Sequence, residues 1–356
     1  MRKDNKSLLT SIVRKKDFYH ICMTIYSTLF RCIFTQADLI TFCHKIQNLK
    51  IIRDLTDYQS RIPLALSLGM FDGVHLGHLS IINKLNEIAE KEHLESAILS
   101  FWPHPRKFLN PDDDVKMLNT LEEKLELLEK SGIKNIFLKT FDEEFRNLTG
   151  TEFCEKILVN KLNVKHIIIG YDHTFGKNKS GNFELLKSLS NELGFQVNQL
   201  EAIQKNDLNI SSTKIRIALS EGRINDANQM LGYNYPLTGK VIHGKKLGRT
   251  IGYPTANIEV PINKLLPKKG AYIVEVWIDN QFYKGMLSIG TNPTIDDKNQ
   301  SLHTEVYILD FDQDIYDKEI TIKFRDYLHD EIKFEGLEKL IERLDEDKRL
   351  TAEFQF

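Results

Sequence analysis

Cysteine is almost absent from the body of this 356-residue chain. Three of its four cysteines, Cys22, Cys32 and Cys43, fall in the first 48 residues, and Cys154 stands alone in the rest. One thiol cannot form an internal disulfide, so the body reads as a protein of a reducing, cytoplasmic compartment. Long apolar runs are missing too. The most apolar stretch, Phe18 to Phe34, is interrupted by His20 and Arg31, and no small-residue cleavage site follows it, which argues against a membrane span and against a secretion signal. Neither charge is in excess, with 48 Lys and Arg against 50 Asp and Glu. That balance removes the electrostatic case for nucleic acid or a membrane as partner. No internal repeat and no low-complexity tract is present.

What is there begins with an asymmetry. Residues 1–48 hold eight Lys/Arg against three Asp, while the remaining chain holds 40 basic against 47 acidic residues. The first segment therefore reads as foreign to the rest of the chain: a genuine extension, a disordered leader, or upstream sequence translated from a mis-assigned start. A length of 356 residues suits about two further domains.

From Leu64 the pattern alternates strand and helix. Leu64–Met70 is apolar with a small-residue exit, and His78–Glu92 carries Ile81, Ile82, Leu85, Ile88 and Ala89 at helical spacing. Ala97–Phe101 and Asn135–Thr140 read as strands. Thr120-Leu121-Glu122-Glu123 is a capping box that opens a helix ending at Gly132. Thr149–Leu162 reads as a helix and His166–Ile169 as a wholly apolar strand, buried on both faces of a parallel sheet. Helices over 181–193 and 213–221, with a strand over 195–200, complete a series that implies a parallel sheet covered by helices on both faces. After Tyr235-Pro236 helical periodicity stops until about residue 335. Strand candidates follow at Gly239–His243, Ala271–Ile278, Gln281–Ser288, His303–Asp310 and Glu319–Phe324, with Asp279-Asn280 as a tight hairpin turn. Crowded short strands predict a small antiparallel barrel, closed off by a helix bearing Leu337, Leu340, Ile341 and Leu344. The expected domains are 49–234 and 235–356.

Two stretches carry chemistry. The first is Gly69-Met70-Phe71-Asp72-Gly73-Val74-His75-Leu76-Gly77-His78, between a strand and a helix, where an open parallel sheet binds its ligands. Gly73 and Gly77 carry no Cβ to hold phosphate oxygens off, the helix N-terminus presents free N–H groups, and two imidazoles can donate hydrogen bonds. Ile210-Ser211-Ser212-Thr213-Lys214-Ile215-Arg216 is its natural partner, an N-capped helix whose Lys214 and Arg216 can neutralise phosphates. Pro103-His104-Pro105 and Gly170-Tyr171-Asp172-His173-Thr174-Phe175-Gly176 follow other strand ends on the same edge. Nucleotidyl transfer needs little beyond such charge stabilisation and in-line alignment, because a phosphate can serve as the nucleophile.

The second stretch is His243-Gly244-Lys245-Lys246-Leu247-Gly248-Arg249, followed by Gly252-Tyr253-Pro254-Thr255-Ala256-Asn257. Its glycine-spaced basic loop suits phosphates, and Thr255 and Asn257, two residues apart on one strand face, offer hard oxygens that suit Mg²⁺. Taken alone, a Gly/Pro turn fits it equally well. Glu305 shares a face with Tyr307 and Leu309, and an inward-pointing carboxylate there would supply the base that a kinase needs.

These motifs, in this order from about Leu49 onward and joined by Gly290–Thr294 and Leu309-Asp310-Phe311-Asp312, resemble the bacterial bifunctional riboflavin kinase/FAD synthetase family. The resemblance implies two reactions. The barrel would phosphorylate the ribityl 5′-hydroxyl of riboflavin with Mg-ATP, with Glu305 as base, Thr255 and Asn257 at Mg²⁺, and Gly244, Lys245, Gly248, Gly252 and Pro254 along the phosphate loop. The sheet domain would transfer AMP from ATP to FMN, giving FAD and pyrophosphate. There His75, His78 and Arg216 would be catalytic, Gly69, Phe71, Asp72, Gly73, Gly77, Ser212, Thr213 and Lys214 would cradle ATP, and His104, Asp172 and Phe175 would meet the flavin. FMN and FAD would be products rather than prosthetic groups. Thr174 and His329 each stand where the family usually has Arg, and Met70 where Asn is common. The competing readings are an enzyme with one live site, a non-catalytic flavin- or nucleotide-binding regulator, and a cytidylyltransferase-like enzyme with an accessory barrel. The sequence is silent on oligomeric state.

Overall fold

The computed structural model describes residues 49–110, 112, 115–171, 173–201, 204–205, 208–244, 246–291 and 302–356. The leader 1–48 with its three cysteines, Asp172, Lys245 and the 292–294 part of the Gly290–Thr294 motif lie outside the described residues.

Six parallel strands form the first sheet: β1 (Lys50–Ile52), β2 (Leu64–Leu68), β3 (Glu95–Phe101), β4 (Asn135–Lys139), β5 (Val164–Gly170) and β6 (Gln196–Leu200), in the spatial order β1-β4-β3-β2-β5-β6. Alternate residues of each strand serve opposite faces. Ala65, Ile98, Ile136 and Ile168 meet α1 (Leu76–Lys91) and α2 (Leu121–Lys130) through Ile82, Leu85, Ile88 and Leu128. Leu66, Leu99, Phe137 and Ile167 face Phe153, Cys154, Leu158 and Leu186 on the other side. Burial on both faces is why these strands read as continuous apolar runs. His166 departs from the expectation of a wholly apolar strand. It is buried, and its ring lies 3.0 Å from Glu92 Oε2 and 2.5 Å from Asn198 Oδ1, so a polar group enters the sheet with both nitrogens satisfied.

The helix expected over Thr149–Leu162 has a different form. The capping box of Thr149 and Glu152 starts one α-turn, Gly150–Glu152, and the chain then widens into a π-helix over Phe153–Val159. A short antiparallel ribbon, β7 (Gln204–Lys205) and β8 (Leu208–Asn209), leads to α3 (Ser212–Ser220) and α4 (Ile224–Leu231). The sequence reading missed α4, which ends on Gly232 in the left-handed conformation.

The barrel comprises β9 (Pro236–Ile242), β10 (Thr255–Glu259), β11 (Gly270–Ile278), β12 (Gln281–Thr291), β13 (Leu302–Ile308) and β14 (Glu319–His329), closed in the order β10-β13-β12-β11-β14-β9. Asp279 and Asn280, both at positive φ, make the tight β11–β12 turn. Tyr272, Val274, Leu287, Val306, Ile322 and Phe324 fill the interior, and that core continues into Ile215, Leu219, Ala227 and Leu231 of α3 and α4. The last two helices of the sheet region thus bury their apolar faces with the barrel. The C-terminal helix α5 (Leu337–Glu353) lies against β12 on the outside.

Candidate active sites

The sheet order reverses between β2 and β5, and the first motif leaves the carboxyl end of β2 at that point. The turn is tight: Phe71, Gly73 and Val74 all have positive φ, and a Cβ on Gly73 would lie 2.7 Å from Leu118 Cδ1. His75 caps α1, its Nδ1 accepting the His78 N–H at 3.4 Å. A neutral ring that accepts through Nδ1 carries its proton on Nε2, leaving that nitrogen a donor. The two imidazoles stack at 3.7 Å, and Gly77 fits beneath, where a Cβ would come 3.1 Å from the His75 ring. Burial, aided by Arg216, pushes the His75 pKa down to about 4. Burial, then His75 and Lys124, holds His78 well below its ordinary value. Both are therefore neutral hydrogen-bond donors at pH 7 rather than cations.

Cationic charge comes from elsewhere. Arg216 on α3 pairs with Asp72, whose buried carboxylate also accepts the Leu118 N–H at 3.0 Å and the Asn119 N–H at 3.4 Å. Asp72 thus holds Arg216 and the turn instead of offering a free carboxylate to an anion. Ser211 caps α3 and Ser212 Oγ donates to the Asp72 carbonyl at 2.9 Å, while Thr213 and Lys214 are exposed beside it. The residue that sequence reasoning missed is Lys124. It is 1% exposed, and its Nζ donates to the Met70 carbonyl at 2.7 Å and to Ser100 Oγ at 2.6 Å. The available signal was its place between Leu121 and Leu128 on the buried stripe of α2.

His104 caps a five-residue helix by accepting the Arg106 N–H at 3.1 Å. Burial and Arg106 lower its pKa, opposed by Asp72 and reinforced by Arg216 and Lys124, so the ring stands among the charges of this site. Phe175, the other flavin-site candidate among the described residues, is held by its own loop and by the cluster under the sheet. Its backbone pairs with Gly181 at 3.0 and 2.9 Å and its ring packs 5.2 Å from Phe153. It anchors its loop to the apolar cluster under the sheet, because a half-buried aromatic gains more there than at a wet edge.

The second motif assembles on the outside of the barrel. Register pairs Thr255 with Tyr307, Asn257 with Glu305, and Ser288 with Glu305, so these side chains share one face. Val306 and Ile308 alternate with them and fill the interior. Glu305 therefore points outward, against the expectation of an inward carboxylate: strand alternation sends it away from an interior that has no partner for a charge. Leu309, placed on that face by the sequence reading, lies past the end of β13. Thr255 Oγ1 donates to Glu305 Oε2 at 3.0 Å.

Two clefts meet at Thr255. One, of about 480 Å³, is walled by Leu247, Ile251, Met286, Leu340 and Leu344 with Glu305 at its edge. The other, of about 510 Å³, has a mixed wall, with Arg249, Asp312 and Asp314 facing Val306, Ile308 and Ile315 of the barrel. Gly248 and Gly244 close over the strand: a Cβ on Gly248 would lie 2.1 Å from the Tyr253 carbonyl, and one on Gly244 would lie 2.1 Å from Asn257 Nδ2. Gly252 turns the loop back at φ 83°. His329 beside the apolar cleft is held by Asp347, 2.9 Å from its Nε2, and Arg343 shares that carboxylate at 2.8 Å.

Comparison with known proteins finds a match for each half of the chain. A family model described as FAD synthetase matches residues 58–214, and one described as riboflavin kinase matches residues 231–355. A Listeria monocytogenes protein described as bifunctional riboflavin kinase/FMN adenylyltransferase is 41% identical over 300 residues, 84% of this chain and 95% of its own. An Escherichia coli K12 protein of the same description is 34% identical over 311 residues, 86% of this chain and 98% of its own. A crystal structure from Streptococcus pneumoniae, described as a macrolide-efflux protein, has a TM-score of 0.78 at 30% identity, covering 86% of this chain and 99% of that one. Among the described residues no helix is long and apolar enough to cross a membrane.

Proposed function

The chain belongs to the family of bifunctional riboflavin kinase/FMN adenylyltransferases, and we propose that its kinase reaction runs at Glu305 on the barrel and its adenylyl transfer at the His75–His78 junction of the sheet. It phosphorylates riboflavin to FMN with ATP, then joins AMP from a second ATP to FMN, giving FAD and pyrophosphate. The domain limits that fit this division are 49–234 and 235–356, and the reducing compartment fitting the single buried thiol among the described residues is the cytoplasm.

The observation that carries the kinase assignment is the meeting of two clefts at Thr255, whose hydroxyl donates to Glu305 on the wall of the apolar one. The apolar cleft suits the flat isoalloxazine ring, leaving the ribityl chain to run toward Glu305. The carboxylate takes the proton of the 5′-hydroxyl as its oxygen attacks the γ-phosphorus of ATP in the second cleft, while the bond to the β-phosphate oxygen breaks and its electron pair leaves with ADP. The Thr255 hydroxyl and the Asn257 amide oxygen are hard donors, few in number, which fits a Mg²⁺ that keeps most of its water and binds phosphates. When bound, the ion neutralises charge on the transferred group. Arg249 lies on the second cleft's wall, where a guanidinium suits phosphate oxygens. Substituting Gly244 by Ala forces a Cβ into Asn257, so Gly244→Ala is expected to lower kcat for FMN formation about tenfold or more. Its melting temperature should stay near that of the wild type, because Gly244 lies on the surface of the barrel. Steady-state assays with riboflavin check this.

In the sheet domain an FMN phosphate oxygen attacks the α-phosphorus of ATP. The new P–O bond forms as the bond to the β-phosphate oxygen breaks and its electron pair leaves with pyrophosphate. No protein nucleophile is needed. The Nε2–H of neutral His75, the N–H groups opening α1 and the Arg216 guanidinium bear on the developing charge, with the buried Lys124 beneath. His104 is a flavin-site candidate that feels the charges of Asp72, Arg216 and Lys124. The test is to incubate the full chain with riboflavin, ATP and Mg²⁺ and to separate the flavins over time. FMN should rise and then give way to FAD, and both steps should stop with EDTA. FMN alone would overturn the sheet-site assignment, and turnover in EDTA would overturn the metal assignment.

A further inference from the structure

The barrel reaches into the adenylyl-transfer site through one buried lysine. Lys264 lies in the loop after β10, and its side chain is 0% exposed. Its Nζ donates to the Leu118 carbonyl at 2.7 Å and pairs with Glu123 at 2.5 Å, and it sits 4.4 Å over the Tyr235 ring. Glu123 is saturated in turn: it accepts the Thr120 N–H at 3.0 Å within its capping box and the Thr238 N–H of β9 at 3.0 Å. The loop is bound along its length, with the Met117 N–H donating to the Asn263 carbonyl at 2.6 Å and the Leu265 N–H to the Met117 carbonyl at 2.8 Å.

Leu118 is the hinge of this arrangement. Its carbonyl is held by Lys264 of the barrel, and its N–H is held by Asp72, the carboxylate that orients Arg216. Tyr233, between α4 and β9, donates from its hydroxyl to the Gly73 carbonyl at 2.5 Å and so fixes the same turn from the other side. A displacement of Leu118 would pass directly into Asp72 and Arg216, and reaction geometry tolerates only small shifts.

We propose that Lys264, with Glu123, is a positioning residue for adenylyl transfer: a strut from the kinase barrel that fixes Leu118 and, through Asp72, the guanidinium of Arg216. The inference rests on the assignment of Arg216 to that reaction. It makes the two halves dependent in one direction, since Thr255 opens β10 at the end away from the Lys264 loop, Glu305 lies on β13, and the strut's hydrogen bonds run to Leu118, Glu123 and Thr238 instead.

The experiment uses the full-length chain, assayed separately for FAD from supplied FMN and for FMN from riboflavin, with a melting temperature for each variant. Lys264→Met leaves Glu123 a buried unpaired charge. The double variant Lys264→Met/Glu123→Gln removes both charges, and Lys264→Arg keeps the charge while moving the donor. The double variant and Lys264→Arg are expected to melt near the wild type, to lose about tenfold or more in kcat for FAD with little change in KM for FMN, and to keep kinase activity within about twofold. Wild-type adenylyl transfer in the double variant would overturn the proposal, as would an equal fall of both activities in step with stability. Arg216→Ala serves as the reference. If it keeps adenylyl transfer, the site assignment itself fails, whereas its loss beside unimpaired Lys264 variants fails the strut alone.

Discussion

Glu305→Gln is expected to lower FMN formation by roughly two to four orders of magnitude while FAD formation from supplied FMN stays within about twofold. The substitution keeps size and the hydrogen bond from Thr255 Oγ1, which an amide oxygen accepts as well as a carboxylate does. What it removes is the capacity to take a proton, so the loss reads out base catalysis and not packing. Glu305 is half-buried on the outer face of β13, and no barrel-interior contact depends on it, so the melting temperature should not fall. Glu305→Asp keeps the base but withdraws it by one methylene from Thr255, where the clefts meet, and an intermediate rate is expected, with kcat affected more than KM for riboflavin. Thr255→Val is the companion variant. It removes the hydroxyl that orients Glu305 and one hard oxygen donor together, so its kinase loss should grow as Mg²⁺ is lowered. A Glu305→Gln enzyme that forms FMN at the wild-type rate would overturn the assignment of the base.

The parts of this architecture that the sequence made legible are those where local pattern and global fold agree. Apolar strands such as Leu64–Leu68, the capping box at Thr120–Glu123 and the paired turn residues Asp279-Asn280 each have a local cause and formed where that cause placed them. The hidden parts have tertiary causes. The π-helix at Phe153–Val159 has no local signature that distinguishes it from an ordinary amphipathic helix. The outward aim of Glu305 depends on which face of β13 the barrel closes around, and period-two alternation fits either face equally. Asp72 looked like a phosphate-facing residue because it stands in the turn, but its partners Leu118 and Asn119 are more than 40 residues away in sequence. Glu123 was correctly read as a cap residue, yet the same carboxylate also receives Lys264 from 141 residues downstream. Motifs reveal which residues serve a ligand, while the residues that aim them come from distant segments.

Lys124 shows the same rule with the largest consequence for the sheet site. Lys124→Met is expected to lower adenylyl transfer by about two orders of magnitude, the scale seen when one preorganised electrostatic donor is removed, without lowering stability at pH 7. The reason lies in its environment. The ammonium is buried, its two partners are the neutral Met70 carbonyl and Ser100 hydroxyl, and the opposing charge of Asp72 is already engaged by Arg216. Desolvation pushes its pKa down from 10.5 to about 8 against the pull of Asp72. A lysine whose folded pKa lies below its unfolded value destabilises the fold at low pH. The unfolded chain keeps the proton between pH 8 and 10.5 while the folded chain sheds it, so stability rises across that window by an amount on the order of 3 kcal/mol. Methionine fills similar volume without that cost. A charge retained against such a penalty, whose field also lowers the His78 pKa, is a buried cation that would oppose negative charge developing at the proposed α-phosphate position. The pH profile separates this role from a packing role. FAD formation by the wild type should fall as pH rises through about 8, the limb being absent from riboflavin phosphorylation in the same preparation and flattened in Lys124→Met. The FMN phosphate titrates near pH 6 and leaves the alkaline limb clear. An alkaline limb that survives unchanged in Lys124→Met, or a wild-type rate in that variant, would remove Lys124 from the site.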